Sequence, residues 1–288
     1  MLNFYLPDFY YFYDLNFYFV RLLLNNPEYF HDNIKITSIY GSFPNAYWNG
    51  GRVISGYIDR QRIIDTIHAF NSFDISLRFT FTNTLITNAL LEDPYCNMIM
   101  IAAHNGQNEV LVNNPMLEEY LRKHYPNYRY ISSTTKCLLD IDSVNKECEN
   151  YDLVVLDYRK NVDTNFIEQI SHKDKIELLL NAYCSPECKY RKEHYDYLSK
   201  CQITGEQANS FCDTLKLSFY EALSMPTVIK SDQLYLYFVD KGFRHFKIEG
   251  RTNHIADVLE SYIYYMIKPE YKDQVRCNCL KALWNNWK

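Results

Sequence analysis

The sequence predicts an α/β fold of the (β/α)8 TIM-barrel-like type, with a cysteine-containing insert between strands seven and eight. Three observations carry this. Short apolar runs of strand length alternate with helix-patterned segments along the whole chain. Eight such units can be counted, the number that closes a barrel. The residues at the C-terminal ends of the runs are polar or aromatic, as on the face where barrel sites form. A doubly wound sheet is the alternative, since strand order is not visible in a sequence.

Taken in order, the first strand covers 2–6 and a helix follows over 12–24. Strand two spans 35–40 and stops at Gly41. A helix over 59–69 carries Ile63, Ile64 and Ile67 near one stripe. Strand three is 75–81. The stretch 96–103 reads as helix, because Asn105-Gly106 gives a stop before strand four at 109–112. Pro115 opens a helix over 116–124. Strands five and six are 129–132 and 153–157. A short helix near 165–171 leads to strand seven at 175–180. Strand eight is 245–248, and a helix covers 255–266.

Residues 1–288 are expected to form one barrel domain, with 183–243 as the inserted segment. Within the insert the pattern suggests helices over 186–199 and 206–219, then a strand plus turn over 227–239. A loop of this length in a compact domain points to function.

Composition narrows the classes. Hydrophobic residues make up 47% and charged residues 23%, enough apolar side chain for a sizeable core. The formal net charge of −5 argues against a constitutive nucleic-acid binder, although a local patch for an RNA base stays open. Pro7, Asp8 and Asp14 interrupt the N-terminal apolar character, so no secretory signal is expected. No apolar run is long enough for a spanning helix, so no membrane insertion is expected and a cytoplasmic location is. Nine cysteines, an odd count, favour thiols and a metal site over a disulfide framework.

Chemistry concentrates after strand seven. Cys184, Cys188, Cys201 and Cys212 are spaced Cys-x3-Cys-x12-Cys-x10-Cys. Thiolates grouped this way suit a [4Fe–4S] cluster better than zinc, whose sites normally show a Cys-x2-Cys pair. Free thiols are the alternative reading. Cys212 is the least determined of the four, because it also fits the buried face of a helix, and Cys277 and Cys279 are rivals for the fourth place. Arg191, His194 and Tyr195 follow the first cysteine pair; Arg191 and Tyr195 share a helix face. These residues fit either a solvated helix or contacts to an anionic substrate. Glu249 and Arg251 flank Gly250 at the end of strand eight and can clamp a polar substrate or brace the mouth. Asn181 ends strand seven. The expected catalytic set is therefore Asn181, Arg191, His194, Glu249 and Arg251. Nucleotide-binding glycine loops and the common hydrolase signatures are absent.

Phe246-Lys247-Ile248-Glu249-Gly250-Arg251 closely resembles a segment of the U32 peptidase-like family. The strand containing Glu177, followed by a turn and cysteines, is similar in order to the same family, with Asn181-Ala182 standing where the family has His-Gly. The resemblance spans about 132–266 and implies a TIM-barrel-like fold with a [4Fe–4S] cluster on Cys184, Cys188, Cys201 and one more cysteine. It implies either oxygen-independent hydroxylation of a small or nucleobase-like substrate, with a redox or protein partner, or a peptidase-like hydrolase. A non-catalytic partner or scaffold with a structural cluster is the third expectation.

Overall fold

A computed structural model describes residues 1–209, 217–250 and 254–286. Eight parallel strands close into a barrel in the order β1 to β8. They are β1 Leu2–Pro7, β2 Ile34–Gly41, β3 Ser76–Phe81, β4 Glu109–Val112, β5 Arg129–Ser132, β6 Leu153–Val155, β7 Ile176–Leu179 and β8 His245–Lys247. The seam is β1 against β8, with Phe4 in register with Phe246. The barrel expectation is thus borne out.

Helices alternate with the strands: α1 Tyr13–Asn25, α2 Arg60–Asn71, α3 Asn88–Leu91, α4 Pro94–Ala102, α5 Pro115–His124, α6 Ile141–Asn150 and α7 Thr164–Gln169. Between β7 and β8 lie α8 Arg191–Thr204, α9 Phe219–Ala222 and α10 Ser231–Gln233, which runs into a π-helical turn at Leu234–Phe238. The chain continues with α11 Ile255–Met266 and α12 Lys272–Asn286. No described helix is long and apolar enough to cross a membrane.

Helix starts follow local chemistry. The Asp59 side chain accepts from the Arg62 N–H and Asp140 from that of Ser143, so each satisfies an amide that the first turn leaves unpaired. Asp93 and Asn114 do the same just before Pro94 and Pro115, whose missing N–H costs nothing at the first helical position. The outward faces of the strands bury aromatic and branched side chains against the helices. Phe4 meets Phe246 with ring centroids 5.7 Å apart, and Phe9, Phe43 and Phe79 form a continuous aromatic group.

Four expectations need correction. Within the segment 227–239 no strand forms and residues 231–238 are helical: the Leu-Tyr-Leu-Tyr-Phe-Val run has strand propensity, but Gln233 folds back to accept from the Lys230 N–H and starts a helical turn. Cys201 lies inside α8, not beyond it. The helix expected over 206–219 is not helical at its described ends, 206–209 and 217–218. Finally, α6 and α12 were not anticipated. Their buried stripes are narrow, Val144 with Cys148 in one and Val275, Cys279 and Leu283 in the other.

Candidate active site at the barrel mouth

The lumen divides into two layers because strand side chains alternate. In β8, Phe246 points out to the helices while His245, Lys247 and, beyond the strand, Glu249 point in. The lower lumen is filled by charge. Arg78 of β3, fully buried, donates to Glu109 of β4 and Glu177 of β7, each at 2.6 Å. Its guanidinium lies 4.2 Å from the centre of the Tyr5 ring. Arg129 reaches the other oxygen of Glu109. The Tyr5 hydroxyl is hydrogen-bonded to His245 Nδ1 at 2.6 Å. Burial pushes His245 down to about 4.

Above this layer a cavity of about 640 Å³, including its open entrance, sits at the C-terminal ends of the strands. Its wall is contributed by most of the barrel. Asp8 follows β1, Tyr40 and Gly41 end β2, Thr80 and Thr82 come from the end of β3, and Ser133, Thr134 and Thr135 follow β5. Leu111, Leu179 and Ile54 supply apolar surface. Lys247 and Glu249 complete the wall at the β8 edge. Arg52 leans in from the segment after β2 and pairs with Asp8 at 3.1 Å. Asp8 also accepts from the amides of Tyr10 and Tyr11; burial nevertheless raises its carboxyl, against the pull of Arg52.

That segment can approach so closely because residue 50 is glycine. A Cβ at Gly50 would stand 2.5 Å from the Thr82 backbone, and the Gly50 N–H bonds the Thr80 carbonyl at 3.2 Å.

Lys247 is the most perturbed cation in the cavity wall. Burial pushes its ammonium down to about 8; Glu177 opposes the change and Arg78 adds to it. Its Nζ is 3.8 Å from the centre of the Tyr40 ring and 3.6 Å from Glu177 Oε1. The second distance makes an ion pair and not a hydrogen bond. Tyr40 is held in place by donating to the Ile248 carbonyl at 2.6 Å.

The insert supplies the roof. Helix α8 spans about 20 Å and is tied down at both ends. Near its start, Arg191 donates to Asp157 at 3.1 Å, to Thr134 Oγ1 at 3.0 Å and to the Tyr195 hydroxyl at 3.1 Å, with its guanidinium over the Tyr158 ring. Further along, Ser199 and Asp196 meet Thr84 beyond β3. At the far end Gln202 accepts from the Ile54 N–H and donates to the Ala46 and Ile54 carbonyls. Tyr195 faces down into the cavity.

The expected site residues separate into groups. Glu249 lines the cavity and accepts from the Tyr183 N–H. Arg191 is buried in the roof hinge, and its donors are engaged by protein groups. Asn181 is a brace: it donates to the Glu249 carbonyl at 3.0 Å and accepts from the Glu249 N–H at 2.6 Å, tying the ends of β7 and β8 together. His194 sits on α8 stacked on Tyr195, outside the cavity lining. Arg251 lies outside the described residues.

Among the described residues, Cys184, Cys188 and Cys201 form no three-ligand group. Cys184 packs against Tyr158, Leu179 and Ala182. Cys188 lies just before α8, and its carbonyl accepts from Arg159. Cys201 is buried in the last turns of α8, about 15 Å of helix axis beyond Arg191. Cys212 lies outside the described residues. Among the described residues no three His, Cys, Asp or Glu side chains stand where they could hold a metal ion. The described thiols therefore do not fit a shared cluster.

Asp8, Tyr40, Arg52, Thr80, Thr135 and Lys247 were missed as site residues. For Lys247 a signal existed: it shares inward parity with Glu249, two residues on. Arg52 had none, since it arrives from a loop.

No family model matches the chain, and no curated protein matches it. Among solved structures it is similar to that of the U32 peptidase Mk0906, with a TM-score of 0.52 and 14% sequence identity, covering 87% of this chain and 93% of that one. At that identity the likeness is one of architecture: this chain has the barrel fold seen in a U32 peptidase structure.

Proposed function

We propose that the chain is an enzyme acting on a small polar molecule held in the roofed mouth of the barrel, with Lys247 and Glu249 as its chemically active pair. The observation that carries this reading is the cavity itself, where a buried amine and a carboxylate share one edge opposite a wall of hydroxyls. A perturbed titratable group in a concave site at the C-terminal face of a barrel is where catalysis is expected. Thr80, Thr82, Ser133 and Thr135 would orient the molecule, the Asp8–Arg52 pair would recognise a polar end, and Tyr195 would cover it.

The roof bears on the peptidase reading, which the similar structure's name brings to this chain. Helix α8 is anchored on both sides of the mouth and places Tyr195 in the cavity wall, a cover that suits a compact molecule better than a peptide segment. The redox reading, hydroxylation of a small or nucleobase-like substrate through a [4Fe–4S] cluster, draws support from the cysteine spacing and from the resemblance carried by residues 246–251, so no step is routed through a cluster.

Ligand-observed NMR against a panel of small polar metabolites and short peptides tests the proposal. Binders should be small molecules whose signal is lost in Lys247→Met and Glu249→Gln and kept in the surface variant Lys35→Ala. Hits that bind all three variants equally, or peptides that are cleaved, would overturn it. Protein prepared anaerobically with iron and sulfide that shows a visible thiolate–iron band, lost in Cys184→Ser, would restore the redox reading.

A further inference from the structure

Resting on that reading and extending it, we propose that Lys247 is a carbonyl-capturing nucleophile and that the molecules bound in the mouth are small aldehydes or ketones, held as imines on its Nζ. The geometry is the first support. Lys247 is nearly fully buried yet lines the cavity, so its amine meets solvent and ligand from one direction only. The flat face of Tyr40 beneath it fixes the side chain without consuming an N–H in a strong hydrogen bond. The groups around the amine are Glu177, Arg78, Glu249 and the Tyr40 ring. A surface lysine is protonated and inert near neutral pH, whereas desolvation leaves a larger neutral fraction here, the state that attacks carbonyl carbon.

The second support is what faces the amine. Glu249 shares its edge of the cavity and serves as proton shuttle, while Thr80, Thr82 and Ser133 offer hydroxyls to the oxygens of a polyol or keto acid. The step balances without a co-reactant. The Nζ lone pair forms a C–N bond as the carbonyl π pair moves to oxygen. One nitrogen proton passes through Glu249 to that oxygen and the second follows. The C–O bond then breaks, and water leaves as the C=N bond forms. No oxidant or reductant is consumed.

The intact chain is incubated near neutral pH with glycolaldehyde or with pyruvate, each with sodium cyanoborohydride, and the reduced adducts are mapped by peptide mass spectrometry at short times. Lys247 should label at least about tenfold faster than exposed Lys35, given the larger neutral fraction of an amine titrating near 8. Lys247→Arg should abolish that adduct while retaining the wild-type unfolding temperature. Labelling of Lys247 no faster than Lys35 with both probes overturns the imine. The mouth reading fails separately, through the binding screen: small-molecule hits lost in Lys247→Met but no preferential adduct would leave the site standing and remove the imine.

Discussion

The two layers of the lumen are built from the same residue types to opposite ends. In the lower layer Arg78 answers two carboxylates, all three groups closed from water, and Arg129 backs one of the carboxylates from the rim. In the mouth, Lys247 has a 3.6 Å ion pair with that same Glu177 and the face of the Tyr40 ring, while Glu249 and the Arg52-paired Asp8 face a cavity. A buried charge is tolerable when it is paired and hydrogen-bonded. The lower layer meets most of that demand through two 2.6 Å charge-assisted hydrogen bonds, with Arg78 Nη2 and Glu177 Oε1 left outside them. The upper layer meets it less completely, and the difference appears as a depressed amine and a raised carboxyl, the form in which a site holds reactivity.

Breaking the lower layer should be the more damaging. Arg78→Met leaves Glu177 with the distant Lys247 alone and Glu109 with Arg129 from the rim. Removing one partner from a buried ion network typically costs about 3–5 kcal/mol, so urea denaturation should show a loss of that order. Because β1, β3, β4, β5, β7 and β8 all contribute to this layer, hydrogen exchange should rise through most of the barrel.

The roof gives a sharper version of the contrast. Arg191→Met removes hydrogen bonds to Asp157, Thr134 and Tyr195. Asp157 keeps its two-point pairing with Arg159, however, so no buried carboxylate is stranded. The expected loss is about 1–3 kcal/mol, and it should be local. Hydrogen exchange should accelerate across Arg191–Thr204 while the strands stay protected. Equal acceleration in β3 and β7 would mean that α8 is part of the core and not a cover.

This division also accounts for what could be read from the sequence. The barrel was legible because the strands are short, largely apolar runs and several helices begin at an Asp or Asn cap, as at Asp59, Asp93 and Asn114. The polar end of strand eight named Glu249 as a candidate, and it lines the cavity. Partners across the barrel were not legible. Arg78 signals a buried charge, but nothing in the chain says that it meets residues 31 and 99 positions away. The same limit misled the reading of Arg191 and Asn181: polar residues near a mouth look like substrate contacts until their protein partners are known. The cysteines show the converse. Their nearness in sequence suggested a cluster, but α8 carries Cys201 away from Cys184 and Cys188 at the rise of a helix.

The smallest effect at neutral pH, and the most diagnostic, separates the layers by titration. His245 in the lower layer is held neutral, at about 4 against its ordinary 6.5. Between those values the unfolded chain binds a proton that the folded chain does not, so stability rises with pH across the window and is lost as pH falls through it. Lys247, at about 8 against its ordinary 10.5, creates a second rise on the alkaline side for the same reason. His245→Gln keeps a hydrogen-bond partner for the Tyr5 hydroxyl and should flatten only the acid limb of the stability profile; Lys247→Met should flatten only the alkaline one. Urea midpoints measured across both windows decide the matter. If His245→Gln also altered the alkaline limb, the layers would titrate as one network through Glu177, and the mouth could not be tuned apart from the scaffold beneath it.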